Sequence, residues 1–424
     1  MKKRVLPLVL CFVLLCMVLT GCGKKDKNDS QTQDNGQNQN NNNAEIAKVN
    51  LTVWSPAEDQ SAEQGRWLQT MCEEFNEAHP EWDITFRYGV CPEGEAKNTV
   101  TQDVEGAADV YMFSNDNLPA LVSANAIARL GGETADYVSQ TNAEAIVDSV
   151  SYNGNIYGVP FTTNTWFMYY DTEKFSEEEA SNLDAMLNKA KVAFPLTNSW
   201  YLASFYVANG CTFFEDGTNG EAGIDFTGDK ALAVTEYLVK LASNKNFVND
   251  ASGEGLAGLR DGSISAMFSG SWDYVAVKEA LGDRFGAKEL PTITINGEQK
   301  QLMSFAGSKA IAVNPTSKNL QVAVALAKYL GGPKAQLSHY ELRGIVPCNN
   351  ELLMDPEITS DALVVAQNTT FNNTSIIQPF VDEMGNYLVA ADNFGKSIVN
   401  GEVTLKNAKA KTEAFNESVN SSGI

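Results

Sequence analysis

Val49-Asn50-Leu51-Thr52-Val53-Trp54 alternates apolar and polar side chains, the period-two pattern of a strand with one face buried. Pro56 ends it, because proline brings no backbone N–H to a ladder. From Trp67 the period lengthens. Trp67, Leu68, Met71, Cys72, Phe75 and Ala78 share one stripe at helical spacing, and His79-Pro80 closes the helix. Ile84 and Phe86 begin a second strand, 108–113 is a short apolar one, and 118–130 reads as a helix. Strands separated by helices point to a largely parallel sheet, since parallel neighbours need a crossover between them.

The alternation continues. Ile156-Tyr157-Gly158-Val159-Pro160-Phe161 leads into Trp166-Phe167-Met168-Tyr169-Tyr170-Asp171, an aromatic and apolar run expected as a central strand. Helices are expected near 182–191, 200–209, 229–244, 257–261 and 272–281, and strands near 192–196, 264–268 and 285–290. Asn296-Gly297, in the middle of 292–301, marks a hairpin turn. A strand at 310–314, helices at 320–330 and 334–342, and a mostly helical remainder complete the pattern. The reading is an α/β protein of two lobes, with ligand in the crevice at the carboxyl ends of the strands.

Composition narrows the function. The chain has 424 residues, 43% hydrophobic and 20% charged, which suits a globular protein of two or three domains. Its net charge of −22 repels a phosphate backbone and argues against nucleic acid or an anionic membrane surface as partner. Two histidines leave little room for His-based metal sites or catalysis. A neutral or cationic small molecule fits this field.

Met1-Lys2-Lys3-Arg4 is a basic start, followed by an apolar run from Val5 to Leu19 and then Leu19-Thr20-Gly21-Cys22. This reads as a signal peptide over 1–21, too short for a transmembrane helix. The tetrad resembles the bacterial lipoprotein processing box, which implies cleavage before Cys22, lipidation of its thiol and an extracellular protein anchored to the cell membrane by lipid alone. Residues 22–44, nearly all Asn and Gln from Asn35 to Asn43, form a tether with nothing apolar to bury. As a flexible coil it would span roughly 25 Å. Of seven cysteines, Cys72, Cys91, Cys211 and Cys348 remain in the folded part, without metal-site spacing and with their disulfide state open.

Nucleotide-binding, Gly-x-Ser-x-Gly and His-Glu-x-x-His motifs are missing. His79 and His339 read as structural or exposed. A glycoside hydrolase would need only paired carboxylates, and among 53 acidic residues no pair stands out. What stands out is aromatic residues beside polar turns. Trp54 and Phe113 end strands, and Phe113 precedes Ser114-Asn115-Asp116-Asn117. Trp166 closely follows Asn164. Trp200 follows Thr197-Asn198-Ser199, and Trp272 lies between Ser269-Gly270-Ser271 and Asp273. A pyranose has an apolar C–H face to lie on an indole and a rim of hydroxyls that needs carboxylates and amides. Trp67 and Trp82 read as core.

Over 48–420 the chain resembles the bacterial extracellular solute-binding proteins of ABC importers, in particular the maltose-binding-like group. The resemblance rests on the order of Leu51-Thr52-Val53-Trp54, Phe75-Asn76-Glu77-Ala78-His79-Pro80, Ala108-Asp109-Val110-Tyr111-Met112-Phe113, Tyr157-Gly158-Val159-Pro160, Tyr169-Tyr170-Asp171-Thr172, Ala208-Asn209-Gly210, Ser269-Gly270-Ser271-Trp272 and Ala310-Ile311-Ala312-Val313-Asn314. It implies the type II periplasmic-binding-protein-like fold, with a hinge between a lobe of 45–162 plus 305–355 and a lobe of 163–304 plus 356–424. Crossings would fall near Thr162–Thr165, near Ser304 and around 355–360.

The resemblance also implies a monomer that captures a sugar, first of all a malto-oligosaccharide, and delivers it to permease subunits without cofactor, metal or catalysis. Carried over by position, Glu58 or Asp59 would bind hydroxyls, Phe113 and Trp200 would be platforms, and Asp116 a hydroxyl-binding carboxylate. Trp272, flanked by Asp273, matches a stacking tryptophan, and Tyr387 lies within one residue of a third platform, which aligns best with Leu388. Asn117 stands where the pattern has an arginine and Asn164 where it has a glutamate. A secreted glycoside hydrolase, or a binder of a peptide or polyamine, are the alternatives.

Overall fold

The computed structural model describes residues 46–421, apart from 218 and 382. The signal peptide, Cys22 and the Asn/Gln-rich tether lie outside the described residues. Two main sheets are built from β1 (Ala47–Ser55), β2 (Trp82–Val90), β3 (Val110–Ser114), β4 (Gly158–Asn164), β5 (Phe167–Asp171), β6 (Val192–Phe194), β7 (Phe247–Asn249), β8 (Ala266–Ser269), β9 (Phe285–Lys288), β10 (Ser304–Val313) and β11 (Ser375–Ile377). The first sheet runs β11-β10-β3-β1-β2, with β4 also paired to β10, and the second runs β7-β6-β8-β5-β9. Val49, Leu51 and Val53 of β1 are buried between exposed or half-buried neighbours. β3, β5 and β8 are buried at every position, because helices cover both sheet faces.

Each lobe has its own core. Trp67, Phe75, Leu121 and Ile311 anchor the first, and Trp166, Phe194, Phe205 and Phe268 the second. Asn296 and Gly297 both take positive φ (54° and 83°), closing the hairpin of Thr292–Ile295 with Glu298–Gln301. The helix expected over 118–130 stops at Ser123, and Asn125 turns the chain with φ 52°. The strand expected at 310–314 is longer and starts at Ser304. Cys72, Cys91, Cys211 and Cys348 are free and buried, and burial pushes the Cys72 thiol up to about 12.

The lobes are joined where strands change sheet. The first sheet ends on this connection at Asn164, and three residues later Phe167 starts β5 of the second. β10 pairs with β11 at Ser304–Ala306 and then with β3 and β4 as far as Val313. The two connections touch: Thr165 Oγ1 lies 2.8 Å from Ser304 Oγ and donates to the Phe305 carbonyl at 3.1 Å. A third connection passes beside them, with Thr162 Oγ1 donating to the Val346 carbonyl at 2.6 Å. Ile345 belongs to the first core and Ile358 packs in the second lobe.

The helix Met384–Val399 lies close against the loop after β6. A Cβ on Gly395 would fall 2.3 Å from the Leu196 carbonyl oxygen and 3.1 Å from Thr197 Cα. Both are backbone atoms and cannot swing aside. Gly395→Ala is expected to destabilise the protein by about 1–3 kcal/mol through overpacking. Urea unfolding of the two proteins measures this.

Candidate functional site

A cleft of about 290 Å³ is lined on one side by Gly94, Ser114, Asp116 and Lys309 together with Asn164 at the end of β4, and on the other by Trp200, Trp272, Gln378 and Leu388. Trp200 stands in the first turn of the helix Ser199–Ala208, where the Asn198 side chain accepts from its backbone N–H at 2.9 Å. Its indole N–H donates to Gln378 Oε1 at 2.9 Å, which fixes the ring. Trp272 follows β8 in a short turn. The two indoles sit 6.2 Å apart, tilted by 39°.

Two carboxylates flank this pair. Burial pushes Asp116 above the ordinary Asp value, against the pull of Lys97, the Asn117 amide and Lys309. Asn117 Nδ2 donates to Asp116 Oδ1 at 3.2 Å. Asp273 is raised by burial too, with Ser269 acting against it and the Glu58 carboxylate adding to it. Ser269 Oγ donates to Asp273 Oδ2 at 2.5 Å. Both groups have lost hydration and have few protein donors in exchange, so hydroxyl donors from a solute would be favourable there.

Of the residues expected at the site, the cleft brings together Asp116, Asn164, Trp200 and Trp272. Asp273 lies beside Trp272, and Glu58 is exposed. Five others are elsewhere. Phe113 is fully buried in the first core, because strand alternation points Ser114 at the cleft and its neighbour away. Trp166 is buried in the second core, 4.6 Å from Tyr201 and edge-on to Phe194 and Phe268. Asn117 is buried and positions Asp116, and its Oδ1 accepts from the Lys97 backbone N–H at 2.9 Å.

Tyr387 is buried with its hydroxyl donating to the Ser199 carbonyl at 2.8 Å, while the next helical residue, Leu388, faces the cleft. One step along a helix turns the side chain by about 100°.

Asp59 is the fifth. It is 1% exposed, with Oδ1 2.8 Å from His339 Nε2 and 3.1 Å from Arg343 Nε. His339 stacks on Trp67 at 4.0 Å. Burial raises the Asp59 carboxyl, but His339 and Arg343 together outweigh it and hold the pKa below its usual value. The carboxylate thus ties the loop after β1 to the helix Pro333–Arg343 and does not face a ligand. Sequence reading did not single out Lys309, Gln378 or Ser114. Lys309 carried a signal, as a lone charge inside the apolar run of β10, and Gln378 carried none.

Two α/β lobes with a cleft lined from both define a bilobal solute-binding protein. The chain belongs to the family of bacterial extracellular solute-binding proteins, whose profile matches residues 70–366. That family is one of binding proteins and not of enzymes, which sets the glycoside-hydrolase alternative aside. The maltooligosaccharide ABC transporter solute-binding lipoprotein of Streptococcus pneumoniae is 24% identical over 347 residues, 77% of this chain and 79% of its own. The galactooligosaccharide-binding protein of Bacillus subtilis is 24% identical over 432 residues, 96% of this chain and 95% of its own. A solved structure described as a complex with acarbose is 51% identical, covers 88% of this chain and 99% of its own, and superposes with a TM-score of 0.86. No helix among the described residues is long and apolar enough to cross a membrane.

The Asp59 cluster gives a pH prediction. A depressed carboxylate pKa adds stability that is fully present above the ordinary Asp value of 3.8 and is lost as the pH falls through the lower folded value. Asp59→Asn leaves Arg343 without its buried counter-charge and is expected to cost about 3–5 kcal/mol at pH 7. The difference from the parent should shrink when unfolding is measured below pH ~3.8, the ordinary Asp value.

Proposed function

We propose that the cleft captures a malto-oligosaccharide by lobe closure and that the protein hands it to the permease subunits of an ABC importer. The observation that carries this reading is the Trp200–Trp272 pair, 6.2 Å apart in a cleft also lined by Asp116, Asn164 and Gln378. Two tilted indoles offer stacking surfaces to successive rings of a glucan. Asp116, Asn164, Asp273 and Glu58 then receive the hydroxyl rims. The ligands named for the relatives, maltooligosaccharide for one and acarbose for another, support the same class.

In this reading residues 45–162 with 305–355 close against 163–304 with 356–424, and the protein works as a monomer. Cys22 carries the lipid that holds it at the extracellular face, as the lipoprotein name of the pneumococcal relative supports. A galacto-oligosaccharide is the second reading, favoured by the relative matched over nearly the whole chain.

Titration calorimetry with maltotriose and with a galactotriose decides between the two sugars by which one gives stoichiometric heat. Trp200→Ala and Trp272→Ala are each expected to weaken binding of the preferred one by about 1–3 kcal/mol, by analogy with bases stacked on aromatic side chains. Unchanged affinity in both variants would place the site elsewhere. Cys22→Ser is expected to move the protein from the membrane fraction to the soluble one, and fractionation followed by immunoblotting reads this directly.

A further inference from the structure

Nine of the ten positions of β10 are buried, and Lys309 is the tenth. A lysine in such a strand needs somewhere for its ammonium to go. Lys309 stands opposite Ser114 of β3 and Thr162 of β4, and just there the register with β4 slips, so that Ala310 faces Pro160. A bulge of this kind re-aims a side chain. The side chain enters the cleft, where Lys309 is the one cation among the lining residues. Nζ lies 3.3 Å from Glu93 Oε1, in its own lobe, and 5.1 Å above the ring centre of Trp272, in the other.

Gly270 packs close against the six-membered ring of the same indole. A Cβ on Gly270 would lie 2.1, 2.3 and 2.5 Å from three carbons of the six-membered ring, so the glycine backbone packs flat on it. We infer that Lys309 is a ligand-contacting residue: its ammonium lies over the ring of Trp272, and a sugar ring that stacks there displaces it and accepts hydrogen bonds from it. A cation over an indole is held only weakly when water can reach it. An ammonium that stays paired with Glu93 while donating to sugar oxygens gains charge-assisted bonds in exchange. Lobe one thereby grips the same ring that lobe two supports.

This inference rests on the saccharide reading of the cleft, and the experiment separates the two. Maltotriose is titrated into the purified protein and into Lys309→Met, Lys309→Arg, Trp272→Ala and the Lys309→Met/Trp272→Ala double variant. Lys309→Met is expected to weaken binding about tenfold, the loss of one hydrogen bond to a charged donor, and Lys309→Arg to restore most of it. The two single losses should not add in the double variant, because both act on one ring. If Trp272→Ala weakens binding and Lys309→Met leaves it within about twofold, or if the losses add, the Lys309 inference falls and the saccharide reading stands. If neither substitution matters, both fall. Lys309→Gln supplies the same comparison should the methionine variant not fold.

Discussion

The strand Ser304–Val313 belongs to both lobes, and the rest of the architecture follows from that. Its first residues pair with Ser375–Ile377 and its later ones with β3 and β4. Backbone groups buried on both faces cannot give up their ladder bonds without water to replace them. The change of partner is abrupt, from Ser375–Ile377 at Ala306 to β4 at Gly307. Side-chain hydroxyls add to the backbone bonds beside this point, Thr165 with Ser304 and Thr162 with the Val346 carbonyl. Hydroxyls rotate and exchange partners at little cost, whereas a sheet ladder does not. Hinge closure in two-lobed proteins concentrates its dihedral changes in just such short segments.

Charge in the cleft is arranged around the same strand. The molecule is strongly acidic, yet Asp116 and Asp273 are raised by burial and are not drawn down by a tight ion pair. Contrast Asp59, where His339 and Arg343 overcome the cost of burial and leave the carboxylate with a purely structural task. A carboxylate neutralised by a protein cation has little left to offer a ligand. One held by a single hydroxyl or amide keeps acceptor capacity for sugar hydroxyls. Expectation from chain position treated Asp59 and Asp116 alike, and the difference between them lies in partners 280 and more residues away.

What could be read from the chain divides along the same line. Strands and helices were legible where one face is polar, as in β1 and the helix Trp67–Ala78. Trp200 and Trp272 were legible because Thr197-Asn198-Ser199 and Ser269-Gly270-Ser271 announce a turn after a strand, and turns at strand ends face the crevice. Phe113 was misplaced because a strand covered on both faces carries no alternation to say which side is which, and Trp166 because it falls in the two-residue link between strands and turns into the second core. Tyr387 failed by one residue of helix rotation, although its neighbour Leu388 was the better match. The role of Gln378, which fixes Trp200 from 178 residues away, has no local sequence signature.

A solute can close two lobes only if it gains more from both together than from either alone. The cleft meets that condition by distributing unlike chemistry: stacking faces and Gln378 on one lobe, carboxylate, amide and ammonium groups on the other. Each half alone is a poor site, because an indole without hydroxyl partners leaves the sugar's polar rim to water, and a polar rim without the indole leaves its C–H face wet. Lys309 sits five residues along β10 from Ser304, where that strand changes lobe. In the proposed closure, a solute held at its ammonium would bear on the strand that carries the lobe connection.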